Sequence, residues 1–427
     1  MKTRLAKTSF AAMAAAATLA LSAAGANAQV NLRYLCYADA NECDVARELL
    51  DRFEKANPTI KVTIDKVGFA VIREQLETRL QAGEAPDMAR VTNLGGLNKY
   101  YLDLTPHINA ANWEANFGST LPWMRVGAAD KGIYGFMTQL TVTGAFVNKT
   151  QFDQAGVKMP AAGASWDDWA KATAEVQKKG KIYAGMAMDR TGHRFAGTAI
   201  SMGAKYFDAN GNPAAVVDAG FKATAERMVQ WHKDGLMPAD IWPGASGAKW
   251  KNAGDMFINS DVTMHVAGSW MIQKYVSDVG NKFEWVVAPA PCGPAGCSAM
   301  PGGAAMVAFK ATKNPAEVGK VMEFMVSEPI LKEYYERTVQ IPAHKGLAEK
   351  GLTYGKEVTP EAQAALKQFT TDFGKILPPA HALQGYQRNV AIFNATVNYI
   401  AQAITGTLTL DQAYAKVQEE IDNAVKK

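Results

Sequence analysis

Residues 30–91 switch repeatedly between two hydrophobic periods, and no other feature of the chain constrains its fold as strongly. Residues 30–37 form a short apolar run, after which Val45, Leu49, Leu50 and Phe53 recur at helical spacing until Asn57-Pro58 stops the helix. From 60 to 67 the period drops to two, with Ile60, Val62, Ile64 and Val67 set against Lys61, Thr63, Asp65 and Lys66. Residues 72–82 are helical again and end at Gly83, and Met88 to Val91 follow Pro86-Asp87 as a third strand. Strand, helix, strand, helix, strand predicts an α/β lobe built on a largely parallel sheet. Ligands of such sheets gather beyond the carboxyl ends of the strands, which directs attention to the loops after Tyr37 and Val91.

The rest of the chain repeats the theme. Residues 133–136 and 140–147 read as two further strands. Ser165 is placed to cap a helix that opens at Trp166-Asp167-Asp168-Trp169, where the two aspartates suit the positive end of the helix dipole. A second alternating region follows, with a strand over 182–188, helices over 195–202 and 221–233, and strands over 262–266 and 286–289. A Pro/Gly-rich crossing over 289–303 leads into a mostly helical end. At 427 residues the chain has room for two or three globular units. Two α/β lobes with no compositional linker imply a chain that passes between them more than once.

The first 28 residues have the three parts of a secretory signal: Lys2, Arg4 and Lys7, then an apolar Ala-rich stretch, then Ala26-Asn27-Ala28. The stretch is shorter than the roughly 20 residues a membrane span needs. Removing those three cations lowers the formal charge from +4 to +1, which gives no electrostatic ground for a nucleic-acid or membrane partner. Export to an oxidising periplasm suits the four cysteines. Cys36 and Cys43 lie close together, as do Cys292 and Cys297 around Gly293-Pro294, and two local disulfides are expected.

Catalytic signatures are missing: no G-x-S-x-G, H-E-x-x-H, Walker A loop or G-x-G-x-x-G occurs. The six histidines, at 107, 193, 232, 265, 344 and 381, are never three or four apart, so no helix face offers a paired metal site. What the chain does offer is an aromatic side chain just past a strand end, in Gly268-Ser269-Trp270. A sugar ring has an apolar C–H face that packs on a flat ring and a rim of hydroxyls that need planar donors and acceptors. Trp270 could equally be a core anchor; its position alone does not decide.

A series of segments, in order, resembles the carbohydrate-binding extracellular solute-binding proteins of ABC importers, the family that includes the maltose- and maltooligosaccharide-binding proteins. They are Phe53-Glu54-Lys55-Ala56-Asn57-Pro58 before Ile60-Lys61-Val62; Leu80-Gln81-Ala82-Gly83-Glu84-Ala85-Pro86-Asp87; Tyr134-Gly135 leading to Phe146-Val147-Asn148-Lys149; Ser165-Trp166-Asp167-Asp168; Phe257-Ile258-Asn259-Ser260-Asp261-Val262 leading to Gly268-Ser269-Trp270; Pro301-Gly302-Gly303; and Ile341-Pro342-Ala343. Each is weak alone, but together they run over nearly the whole mature chain.

The resemblance implies a type II periplasmic-binding-protein fold, two α/β lobes joined by several hinge crossings, with residues 29–140 and 300–345 in the first lobe and 143–298 and 347–427 in the second. It implies a monomer that captures a sugar or oligosaccharide and delivers it to ABC permease subunits, with no catalysis, no cofactor and no metal. The residues it places at the ligand are Trp270 as stacking platform and Asp39, Arg90, Asn93, Thr141, His193, Arg194, Gly303 and Tyr386 as polar or edge contacts. The chain departs from its relatives at Arg90-Val91-Thr92-Asn93, where many carry an aromatic residue, and at Phe136-Met137-Thr138. Arg190 and Arg194 are either solvated or paired with Asp189, or else Arg90 and Arg194 face the cleft and recognise an anionic or highly hydroxylated ligand. A buried Arg90 needs a partner, which is a protein carboxylate such as Asp39 or an acid on the ligand. A periplasmic hydrolase or lyase acting on carbohydrate is the rival from another class; an adhesin suits the absence of repeats poorly.

Overall fold

The computed structural model describes residues 29–127, 129–209, 211–213, 216–243, 251–355 and 358–426. The expected export signal at 1–28 lies outside the described residues. Among the described residues there are eight strands: β1 (Val30–Cys36), β2 (Ile60–Lys66), β3 (Met88–Val91), β4 (Gly135–Asn148), β5 (Ala184–Met188), β6 (Val262–Gly268), β7 (Trp285–Ala288) and β8 (Pro301–Ala308). They follow the order β2-β1-β3-β8-β4-β6-β5, with β7 also paired to β4.

β1 is parallel to β2 and β3, as the alternation predicts. The helix Glu42–Ala56 closes the first crossover and buries Val45, Ala46, Leu49, Leu50 and Phe53, the stripe read from the sequence. Its Phe53 ring lies 5.4 Å from Phe324 of the helix Pro315–Val326. Beyond β3 the sheet turns antiparallel, because β8 pairs β3 and β4 in that sense. Strand β8 departs from the sequence reading, in which Pro301-Gly302-Gly303 marks a crossing. Pro301 opens the strand, a place where proline is tolerated because its missing N–H costs least, and the small residues after it let β4 approach closely.

The two runs expected at 133–136 and 140–147 are one strand. All fourteen residues of β4 are buried. Its first part, from Gly135 to Val142, pairs with β8; from Thr143 onward it pairs with β6, and from Ala145 with β7. One strand therefore belongs to both halves of the molecule. Residues 300 and 341 cross beside it: the Thr143 N–H donates to the Met300 carbonyl at 3.0 Å, and Leu140 bridges Ile341. The register shifts between Met137 and Gln139, opposite Ala305 and Ala304, which turns the strand locally.

Ser165 caps the helix Trp166–Gly180 with a full capping box to Asp168. The disulfides are the two local ones, Cys36–Cys43 and Cys292–Cys297.

Candidate functional site

Side chains two apart on a strand share a face, so Gln139, Thr141 and Thr143 form a polar row along β4. One cluster meets the row at each end.

At the first end stands Arg90, fully buried at 0% exposure. Its Nη1 donates to the Tyr37 carbonyl at 3.0 Å and its Nη2 to the Gln139 Oε1 at 2.6 Å. Its guanidinium lies 4.1 Å over the Tyr37 ring. Two carboxylates answer its charge, Asp39 at 3.5 Å and Glu42 at 3.6 Å. Burial pushes the Asp39 carboxyl up against the pull of Arg90. The partner required of a buried arginine is thus supplied by the protein, and Glu42, which sequence reasoning missed, supplies the fully buried share. The Cys36–Cys43 disulfide closes the loop that carries Tyr37 and Asp39.

At the other end stand His193, Arg194 and Trp270. His193 and Arg194, just ahead of the helix expected over 195–202, lie in the first turn of the helix Gly192–Ser201, because Thr191 caps it by accepting from the Arg194 N–H. The Arg194 guanidinium lies 4.2 Å over the half-buried Trp270 ring, and its Nε is 3.6 Å from Asp189. Arginine only donates, so its 2.7 Å contact with His193 Nδ1 makes that nitrogen an acceptor. The proton then sits on Nε2, which faces the Pro301 carbonyl at 3.1 Å and Gln384 Oε1 at 3.2 Å. Asp189 also contacts the buried His265 at 2.9 Å, and His265 in turn bonds the Tyr275 hydroxyl. Burial alone would raise Asp189, but His265 and Arg194 outweigh it and hold the carboxyl below its usual range. Arg190 donates to the Trp242 carbonyl at 3.0 Å.

Trp270 reaches this position because Gly268 has no side chain: a Cβ there would meet the indole ring. Ser269 ties the same turn to the middle of β4, its N–H donating to the Val142 carbonyl at 3.0 Å and its hydroxyl accepting from the Val142 N–H at 3.3 Å. Thr141 lies buried between the two clusters. Gly303 backs Gln139, with φ at +144°. Asn93 and Tyr386 join neither cluster. Asn93 folds over Gly96, while Tyr386 packs 5.2 Å from Phe207. Nearby, Gly95 faces the Gly385 carbonyl, and the Trp123 ring stacks on His381 at 6.2 Å.

Five of the twelve buried side-chain polar atoms without a hydrogen-bond partner among the described residues lie on this row or beside its ends, namely Arg90 Nε, Gln139 Nε2, Thr143 Oγ1, Arg194 Nε and Thr198 Oγ1; Asn93 Oδ1 is another, apart from both clusters. Such atoms are costly unless something answers them. The cavity between Thr143, Arg194 and Thr198 is about 20 Å³, room for roughly one water.

Burial, with Arg194 beside it, lowers His193 to about 3. An unfolded histidine titrates near 6.5, so this group favours folding fully above about pH 6.5 and loses that contribution as the pH falls toward 3. His193→Gln should therefore flatten the fall in stability between pH 6.5 and 4, by up to about 1.4 kcal/mol per pH unit. Denaturation midpoints across that range check it; parallel curves for the two proteins would remove His193 from the acid response.

Sequence reasoning missed Tyr37, Glu42, Gln139, His265 and Gln384. Tyr37 and Glu42 border the loop after β1 and were within reach of the strand-end rule. Gln139 and His265 sit inside apolar runs, where only the oddity of a polar residue marked them.

The profile of a family described as bacterial extracellular solute-binding protein matches residues 40–331. The chain is 24% identical over 339 residues to the maltodextrin-binding protein MdxE of Bacillus subtilis (strain 168), covering 75% of this chain and 74% of that one. It is 22% identical over 321 residues to the multiple sugar-binding protein of Streptococcus mutans serotype c, covering 71% and 73%. In three dimensions it is similar to the GacH receptor of Streptomyces glaucescens GLA.O, solved unliganded and with acarbose and an acarbose homolog (TM-score 0.78, 18% identity, 93% of this chain and 99% of that one). It is also similar to maltose-bound MalE3 of T. maritima (TM-score 0.73, 18% identity, 92% and 100%). The fold is the two-lobe type II arrangement of these structures.

Proposed function

Because the chain belongs to the bacterial extracellular solute-binding protein family, we propose that it is the periplasmic capture component of an ABC importer and that its ligand is a neutral sugar or oligosaccharide. Residues 29–140 with 300–345 would form one lobe and 143–298 with 347–427 the other, closing over the ligand about the crossings beside β4. The closed, loaded protein would then dock on permease subunits.

The observation that carries this reading is the row with its end cluster: an aromatic ring at Trp270 and buried polar atoms of Gln139, Thr143 and Thr198 without a hydrogen-bond partner, a match for a ring with one apolar face and a rim of hydroxyls. Charge supports a neutral ligand over an acidic one. Arg90 already faces Asp39 and Glu42, and Arg194 already faces Asp189. An incoming carboxylate would meet arginines whose charge is compensated and would lie beside three carboxylates. No chemistry is assigned, since His265, the histidine hydrogen-bonded to a carboxylate, is fully buried and uses both ring nitrogens within the protein.

Trp270→Ala should weaken sugar binding by about 2 kcal/mol or more, roughly 30-fold, and leave the fold intact. Calorimetry against neutral sugars and their uronic-acid counterparts measures this. Unchanged affinity in the folded variant would rule out the platform, preference for the acids would rule out the neutral ligand, and release of sugar fragments on incubation would favour the enzyme.

A further inference from the structure

At the first end of the row, one large apolar side chain stands out of the core. Phe69 is 42% exposed, and among the described residues it is the one exposed phenylalanine. It stands where the chain leaves β2 and turns into the helical stretch behind it. Strands β1 and β2 are parallel, with the Val67 N–H continuing their ladder to the Cys36 carbonyl. Phe69 therefore emerges at the same edge of the sheet as the Tyr37–Asp39 loop.

The placement is not that of an isolated surface residue. The Phe69 ring lies 5.1 Å from the Tyr37 ring at 51°, and Tyr37 carries the Arg90 guanidinium 4.1 Å over its ring. Arg90 then bonds Gln139, the first member of the β4 row. Contacts thus run from an exposed ring through buried polar groups to Gln139, the end of the β4 row opposite Trp270. The row alone, from Gln139 to Thr143, spans about 13 Å at about 3.3 Å per residue, more than one sugar ring fills. Burial does not account for the outer ring, because Phe69 leaves much of its apolar surface in water.

We infer that Phe69 is a second stacking platform, which holds a distal ring of a linear neutral oligosaccharide whose proximal ring lies at Trp270. This rests on the sugar-binding reading above and extends it, because it makes affinity depend on chain length. A monosaccharide at Trp270 does not reach Phe69; a longer ligand does.

The test is calorimetry on the full mature chain with one- to four-unit linear series built from glucose, galactose, mannose and xylose. For the series that binds, Phe69→Ala should weaken the longest member about tenfold and leave the shortest binding member within twofold, while Phe69→Trp restores the loss. Trp270→Ala should weaken every length. Matched melting temperatures show that the variants fold, as expected for an exposed position. If wild type binds sugar and Phe69→Ala leaves all lengths unchanged, or weakens them equally, the distal platform is wrong and the sugar-binding reading stands. Loss of transporter-dependent uptake with unchanged affinities would make Phe69 a permease contact and likewise overturn it. If no member of any series binds wild type, both readings fall.

Discussion

Glu42→Ala is expected to lower stability by about 3–5 kcal/mol, the scale for breaking a buried charge pair from one side. Glu42 is 1% exposed. One carboxylate oxygen accepts the backbone N–H groups of Asp39 at 3.0 Å and Ala40 at 2.9 Å. The other faces Arg90 at 3.6 Å and accepts from Gln340 at 3.4 Å. Alanine strands two amides and most of the answer to a buried guanidinium at once, against a total stability of roughly 5–15 kcal/mol for a typical domain. Denaturant unfolding measures the loss. The double variant Glu42→Leu with Arg90→Met removes both charges and should lose less than the two single changes together. A loss under about 1 kcal/mol in Glu42→Ala would mean that Asp39 alone compensates Arg90.

Gly303→Ala should cost about 3 kcal/mol or more, from a φ of +144° that side chains rarely adopt and from a Cβ that would meet the Gln139 carbonyl oxygen. Backbone cannot step aside as a flexible side chain can, so β4 itself must shift, and with it the Gln139 amide that Arg90 holds. Sugar affinity should fall along with the melting temperature. Gly302→Ala is the control. Its Cβ would lie 3.1 Å from the Thr141 hydroxyl, a movable atom, and its φ is ordinary; its cost should stay below about 1 kcal/mol. Equal losses at the two positions would show that small size, and not backbone conformation, is what Gly303 provides.

Gly303 also shows what a sequence conceals. It is expected as a ligand contact, and its conformation gives a further reason for its presence, as a seat for Gln139. The first half of the sheet was legible because strand and helix periods alternate there with proline and glycine between them. Strand β8 was not, since Pro301-Gly302-Gly303 is the composition of a turn and only pairing with β3 and β4, far off in the chain, makes it a strand. For Arg90 the cost of burying a charge predicted a partner and named Asp39; Glu42 opens a helix, where an acid already has a local reason to be. Trp270 was open between core and platform because spacing reports that a ring follows a strand, not that Gly268 leaves room for it beside Arg194.

The sharing of β4 also sets the order in which the molecule can assemble. Met88 pairs with Ala308, 220 positions later, and the front part of β4 waits for the same partner. Until residue 308 has emerged, β3 has an open edge and the front part of β4 has no partner. Bringing such distant segments together is slow, because the entropy of the intervening loop must be lost before the contacts that offset it form. A polypeptide built this way spends most of its synthesis with that sheet unfinished.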